Sequence, residues 1–172
     1  PVKKYFFDRL KETAYSRSFL GMTVEKRQNH GIMQIRWPIK LEFDEDRVMW
    51  KKLYDAAVRV QKGRTISPFI DAGGVAAAIL TKKGNIYKGI CIDTDGSIGM
   101  CAERNALSTM LTYGESEITK VVSVYKDGNI IPSCGICREF MMHLGGDVEN
   151  IEILLDKEGR TTRLTDLMPE YP

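Results

Sequence analysis

Strand-like pairs mixed with strand–helix alternation predict an α/β protein, a sheet layered by helices. Three observations carry this. The run Val75 to Leu80 is continuous and apolar, as in a strand buried on both faces. Lys83-Gly84-Asn85 turns the chain into a second apolar run, Ile86 to Ile92. Two helix-like segments then begin near Cys101 and Cys134 and stop at glycines, Gly114 and Gly145-Gly146.

The elements follow in order. Asp44, Glu45 and Asp46 open a helix whose Met49, Leu53, Ala56, Ala57 and Val60 share one face, with Gly63 as its stop. After the strand pair comes a helix from about Cys101 to Tyr113. Val121 to Tyr125 is a strand closed by Asp127-Gly128, and a helix spans Cys134 to Leu144. Ile151 to Leu155 is a further strand, and the Lys157-Glu158-Gly159 turn leads to a short last one. Residues 43–172 therefore read as one catalytic-size domain, and residues 1–42 as an amino-terminal extension. In that extension residues 3–20 suit a helix faced by Phe6, Phe7, Leu10, Ala14 and Leu20. Met33, Ile35 and Trp37 alternate as a strand that Pro38 confines to an edge.

The chain has 172 residues, 43% hydrophobic and 28% charged, enough to bury a core. A net charge of +2 is too mild to imply a nucleic acid polymer as partner. No apolar run approaches the ~20 residues that cross a bilayer, which argues against a membrane partner. Lys, Arg, Asp and Glu interrupt the apolar positions of residues 1–20, unlike a secretory signal, so a cytoplasmic location is expected.

Four cysteines, at positions 91, 101, 134 and 137, are too few for a disulfide scaffold and point to metal or catalysis. Cys101 opens one predicted helix, and Cys134 and Cys137 open the other. A thiol at a helix start meets unpaired N–H groups and the positive dipole end, which favour the thiolate. Zinc prefers four ligands and accepts thiolates, so three cysteines leave one position for a water whose pKa the ion lowers toward ~7. Glu103, two residues past Cys101, is placed to move protons at that open side. A structural four-cysteine zinc recruiting Cys91 and a Cys134/Cys137 redox pair are the rival readings. Cys91 lies in an apolar strand and suits a buried, inert thiol better, and the redox pair explains neither Cys101 nor Glu103. His143 suits a helix carboxyl end, His30 a solvated stretch, and Met141-Met142 core filling.

Zinc deaminases carry a His- or Cys-x-Glu motif linked to Pro-Cys-x-x-Cys. Here the two parts stand as Cys101-Ala102-Glu103-Arg104-Asn105-Ala106 and Pro132-Ser133-Cys134-Gly135-Ile136-Cys137-Arg138. Residues 46–170 resemble the cytidine deaminase family, including its blasticidin S deaminase branch. The resemblance implies a three-layer α/β/α sandwich around a five-stranded mixed sheet, assembled as a homotetramer or dimer with sites built across subunits. It implies Zn²⁺ on Cys101, Cys134 and Cys137, with Glu103 as proton shuttle. Arg104 and Arg138 would hydrogen-bond the ligand thiolates, and the backbones of Ala102 and Ser133 would meet the base. A Cys first ligand implies a small free aminopyrimidine as substrate. The reaction implied is conversion of cytidine or deoxycytidine to uridine or deoxyuridine with release of ammonia.

Two stretches expected to make the ring and sugar contacts depart from the family. The aromatic that precedes the alanine-rich strand is replaced by Asp71-Ala72-Gly73-Gly74. The Asn-x-Glu that grips ribose reads Cys91-Ile92-Asp93, where Asp93 still accepts a hydroxyl and Cys91 replaces the amide poorly. Phe69, Trp37 and Tyr171 are the candidates for a stacking ring, Tyr171 by reaching a neighbouring subunit. The departures leave another aminopyrimidine, such as blasticidin S or an antibiotic intermediate, as an alternative substrate. A non-catalytic zinc domain that recruits a partner is the alternative from a different class.

Overall fold

The computed structural model describes residues 44–171. The extension expected over residues 1–42, with its helix, its edge strand, His30 and Trp37, lies outside the described residues. Helix α1 spans Glu45–Val60. The Asp44 carboxylate caps it by accepting the Arg47 N–H at 3.2 Å, and Glu45 and Asp46 complement its positive end. The helix ends before Gly63, the expected stop. Its carboxyl cap is Gln61, whose side-chain amide donates to the Gly73 and Gly74 carbonyls at 3.1 and 3.2 Å. Trp50, Leu53 and Ala57 form its buried face, with Met49, Ala56 and Val60 half-buried at the margin.

Strand β1 (Arg64–Ser67) makes a hairpin with β2 (Ile70–Thr81), which turns at Gly84 (φ 85°) into β3 (Ile86–Thr94). Helix α2 (Ala102–Thr112) follows, then β4 (Ile118–Tyr125), β5 (Asn129–Ile130), helix α3 (Gly135–Met142), β6 (Glu152–Leu154) and β7 (Thr161–Arg163). The main path is β3-β2-β4-β6-β7, antiparallel except between β4 and β6. That is the expected five-stranded mixed sheet. β1 on β2 and β5 on β4 enlarge it to seven strands.

The alternation of side chains explains the unbroken apolar run of β2. Ala76, Ala78 and Leu80 pack with Val122 and Val124 against α1. Ala77 and Ile79 face the opposite layer, where Val121 and Ile153 meet Ala106, Leu107 and Met110 of α2 and Met141 of α3. Both faces are therefore covered, which makes three layers. Each fully buried Leu or Ile in them contributes about 1.5–3 kcal/mol. Lys120 ties α1 to the sheet, with its ammonium 4.6 Å from the Trp50 ring centroid, 2.7 Å from Asp46 and paired with Glu152. Burial lowers the pKa of this ammonium, but the two carboxylates outweigh it and the net shift is upward.

Candidate active site

Two contacts seat the first turn of α2 on β3. A side chain at Gly89 would bring its Cβ within 2.3 Å of both the Ala102 carbonyl oxygen and the Ala106 nitrogen, so only glycine admits the helix this close. Asn105 Nδ2 donates to the Ile90 carbonyl at 3.1 Å. The chain reaches α2 through a two-bond bridge between Ile92 and Met100, both bonds 2.9 Å, so Cys101 stands across from Cys91. Cys101 and Cys134 are the N-cap residues of α2 and α3, both extended, with ψ of 152° and 166°. Each predicted helix therefore begins one residue later than expected, and its cysteine stands outside the first turn.

The sulfurs of Cys101, Cys134 and Cys137 all lie within 4.8 Å of one another. Cys101 to Cys134 is 3.6 Å and Cys134 to Cys137 is 3.5 Å. Two thiolates on one tetrahedral zinc, each at ~2.3 Å, sit about 3.8 Å apart, so the spacing and the soft donors fit that ion. Cys91 is outside this cluster. Its sulfur accepts the Val75 N–H at 3.1 Å and donates to Asp93 Oδ2 at 3.3 Å, packed among Ala77 and Ala102. Burial pushes the Cys91 thiol up, as expected of an inert cysteine.

Burial works against ionisation at all three clustered thiols. At Cys134 the Cys137 N–H and the neighbouring thiols overcome it, and the pKa falls below the ordinary value. Cys101 is raised by burial and by Cys134, with Cys137 and then Arg104 opposing. Cys137, deepest of the three, is raised by burial and then by the Glu103 charge. That charge acts on Cys134 as well; Glu103 lies in the first turn of the helix that Cys101 caps and is only 4% exposed. Arg104 Nη2 also holds the Gly99 carbonyl at 3.3 Å. Arg138 was expected on a sulfur. Its Nε instead donates to the Ser133 carbonyl at 2.7 Å, bracing the backbone beside Cys134.

Ala102 is fully buried and Ser133 1% exposed. Asp93 is exposed, held on one side by Cys91. At Gly73 (φ 81°) a Cβ would fall 2.3 Å from the Lys62 carbonyl oxygen, so no ring replaces the absent aromatic there. Phe69 is exposed, and Tyr171 lies edge-on to His143 of its own chain at 6.2 Å. Sequence reasoning passed over Gly89 and Asn105, which position α2. A glycine inside a strand pattern is the signal that marks such a close approach.

Fold and cluster together define an α/β/α protein with a three-thiol site able to hold a metal ion. The cytidine deaminase of Mycobacterium tuberculosis is 27% identical over 124 residues, 72% of this chain and 89% of that protein. The blasticidin-S deaminase of Bacillus cereus is 28% identical over 106 residues, 55% of this chain and 74% of that one. Among solved structures, the cytidine deaminase of Burkholderia pseudomallei matches with a TM-score of 0.57 at 28% identity, covering 71% of this chain and 98% of that one. The cytidine deaminase of Mycobacterium leprae shares the fold with a TM-score of 0.59 at 23% identity, covering 70% and 98%. No family model matches the chain. The chain is thus a homologue of the cytidine deaminases and a cytidine deaminase-like enzyme of the hydrolytic aminohydrolase class.

Proposed function

We propose that this protein deaminates a small cytosine-bearing nucleoside, with zinc held by Cys101, Cys134 and Cys137. The observation that carries the reading is the convergence of three sulfurs within 4.8 Å beside a buried Glu103. Zinc, when bound, supplies a Lewis acid that makes water a better nucleophile near neutral pH. In the overall reaction a C–O bond to water's oxygen forms at the carbon bearing the amine, the C–N bond breaks, and ammonia leaves. Glu103 passes one proton of the attacking water to the ring nitrogen and then carries the other, from the hydroxyl newly added at the carbon, to the departing amine as the carbonyl forms. The Ala102 and Ser133 backbones hold the amide-like edge of the base. Arg104 offsets surplus thiolate charge at Cys101, and Arg138 fixes the Ser133 carbonyl. Asp93, oriented by the Cys91 thiol, accepts a hydroxyl of the substrate's sugar. Phe69, Ile98 and Ile136 are 68%, 86% and 60% exposed on segments flanking the site, which supports a homo-oligomer that covers them.

A second reading keeps the chemistry and changes the substrate to another aminopyrimidine, such as blasticidin S. The Cys91–Asp93 pair and the bare backbone at Gly73 favour it, because neither reproduces the family's sugar and ring contacts. Ammonia release from cytidine, deoxycytidine, cytosine, cytidylate and blasticidin S separates the two. Turnover of cytidine or deoxycytidine alone supports the first, and turnover of blasticidin S alone supports the second. Silence on all five leaves a non-catalytic zinc domain. Glu103→Gln should keep the metal and lose turnover by at least about a thousandfold; a variant that retains turnover removes Glu103 from the mechanism.

A further inference from the structure

Ser133 stands where the zinc-deaminase signature has the proline that directly precedes its first Cys-x-x-Cys cysteine; here Pro132 lies one residue earlier. The exchange adds a hydroxyl and an N–H that proline lacks. The side chain is 1% exposed, and its Oγ has no hydrogen-bond partner among the described residues. A buried hydroxyl left unpaired costs roughly as much as a lost hydrogen bond, so its place beside Cys134 leaves it open to a ligand.

The backbone shows which way it faces. The Ile131 N–H donates to the Ser123 carbonyl at 3.0 Å, continuing the β5 ladder on β4. Ser123 lies two residues from Val121 and pairs with Ala77, and both of those face the layer of α2 and α3. Opposed residues share a face, so Ile131 lies on that same face, and Ser133 follows two residues later, directly before Cys134 of the cluster. Arg138 fixes the Ser133 backbone carbonyl at 2.7 Å, while the hydroxyl stays unpartnered among the described residues.

We infer that the Ser133 hydroxyl hydrogen-bonds the pyrimidine ring of the ligand and is a specificity-determining residue of this site. The inference rests on the deaminase reading and deepens it. The preferred ligand is a pyrimidine presenting a polar ring or exocyclic atom at the start of α3, where a proline-bearing homologue offers only carbon.

The test is calorimetric titration of the zinc-loaded full chain with uridine, the unconsumed product, and with uracil. Ser133→Ala should weaken uridine binding about tenfold, the worth of one hydrogen bond, while zinc content and melting temperature stay at wild-type values. Ser133→Thr, which keeps the hydroxyl, should bind within about twofold of wild type. Ser123→Ala, the neighbouring buried hydroxyl without a partner, should bind as wild type does. Unchanged binding by Ser133→Ala, loss of its zinc, or an equal loss in Ser123→Ala overturns the assignment and leaves the deaminase reading in place. Failure of the wild type to bind either ligand overturns the assignment together with cytidine or deoxycytidine as the substrate.

Discussion

Gly89 of β3 and Ala102 of α2 are in such close contact that a methyl group on Gly89 would fall 2.3 Å from the Ala102 carbonyl oxygen. The obstacle is helix backbone, which cannot swing aside as a flexible side chain would. Gly89→Ala must therefore lift the first turn of α2, and with it Cys101 and Glu103, off the sheet. We expect a loss of about 3 kcal/mol and a fall of roughly 10 °C in melting temperature, with reduced zinc retention. A wild-type melting curve for this variant would show that the helix is not seated on β3 as described.

Substituting the cysteines one at a time separates the cluster from its neighbour. Cys101→Ser, Cys134→Ser and Cys137→Ser should each drop zinc from about one ion per chain to near zero in elemental analysis of the purified protein. Cys91→Ser should retain it, because the Cys91 sulfur is engaged by Val75 and Asp93 instead. Loss of zinc in Cys91→Ser with retention in Cys101→Ser would reverse the assignment of these thiols.

These two tests differ in how readily the sequence announces their residues. The cysteine cluster and Glu103 were legible because metal chemistry demands few residue types at tight spacing, and helix starts are marked by what precedes and follows them. The glycine turns at 84, 114 and 145–146 were legible for a similar reason, since each adopts a positive φ. Trp50 escaped because it lies one position off the chosen apolar stripe, yet its ring carries Lys120 and closes the α1 layer. β1 escaped because its residues are largely exposed and carry no alternating core face. The Arg138 contact could not be read from motif position, since a guanidinium reaches a sulfur or a carbonyl from the same helical site.

Glu115 gives a pH test well away from the cluster. Its carboxylate lies at the end of α2 and accepts hydrogen bonds from Asn85 at 2.7 Å and Tyr87 at 2.8 Å, pinning the β2–β3 turn. The Thr81 hydroxyl is the largest influence holding its pKa below the ordinary value, and burial opposes it. A depressed folded pKa means the unfolded chain binds the proton more tightly. The stabilisation is thus complete above the ordinary carboxylate value near ~4.3 and is lost as pH falls through the lower folded value. Melting temperature should therefore drop on acidification from about pH 5 to about pH 3, and Glu115→Gln should flatten that slope. Parallel acid profiles for the two proteins would show that this carboxylate does not contribute there.

Asp93 tests the sugar contact. The Cys91 thiol donates to its Oδ2 at 3.3 Å, leaving the other oxygen to accept a hydroxyl from the ligand. Asp93→Asn keeps the size and replaces an ionised acceptor with an amide, so KM for cytidine should rise about tenfold while kcat changes little. Cytosine has no sugar, and its kinetics should be unchanged. Cys91→Ala frees the carboxylate to rotate without removing it, so its KM should rise less than that of Asp93→Asn. If Asp93→Asn slows cytidine and cytosine alike, the carboxylate supports the whole site rather than the sugar, and the assignment of Asp93 to a hydroxyl fails.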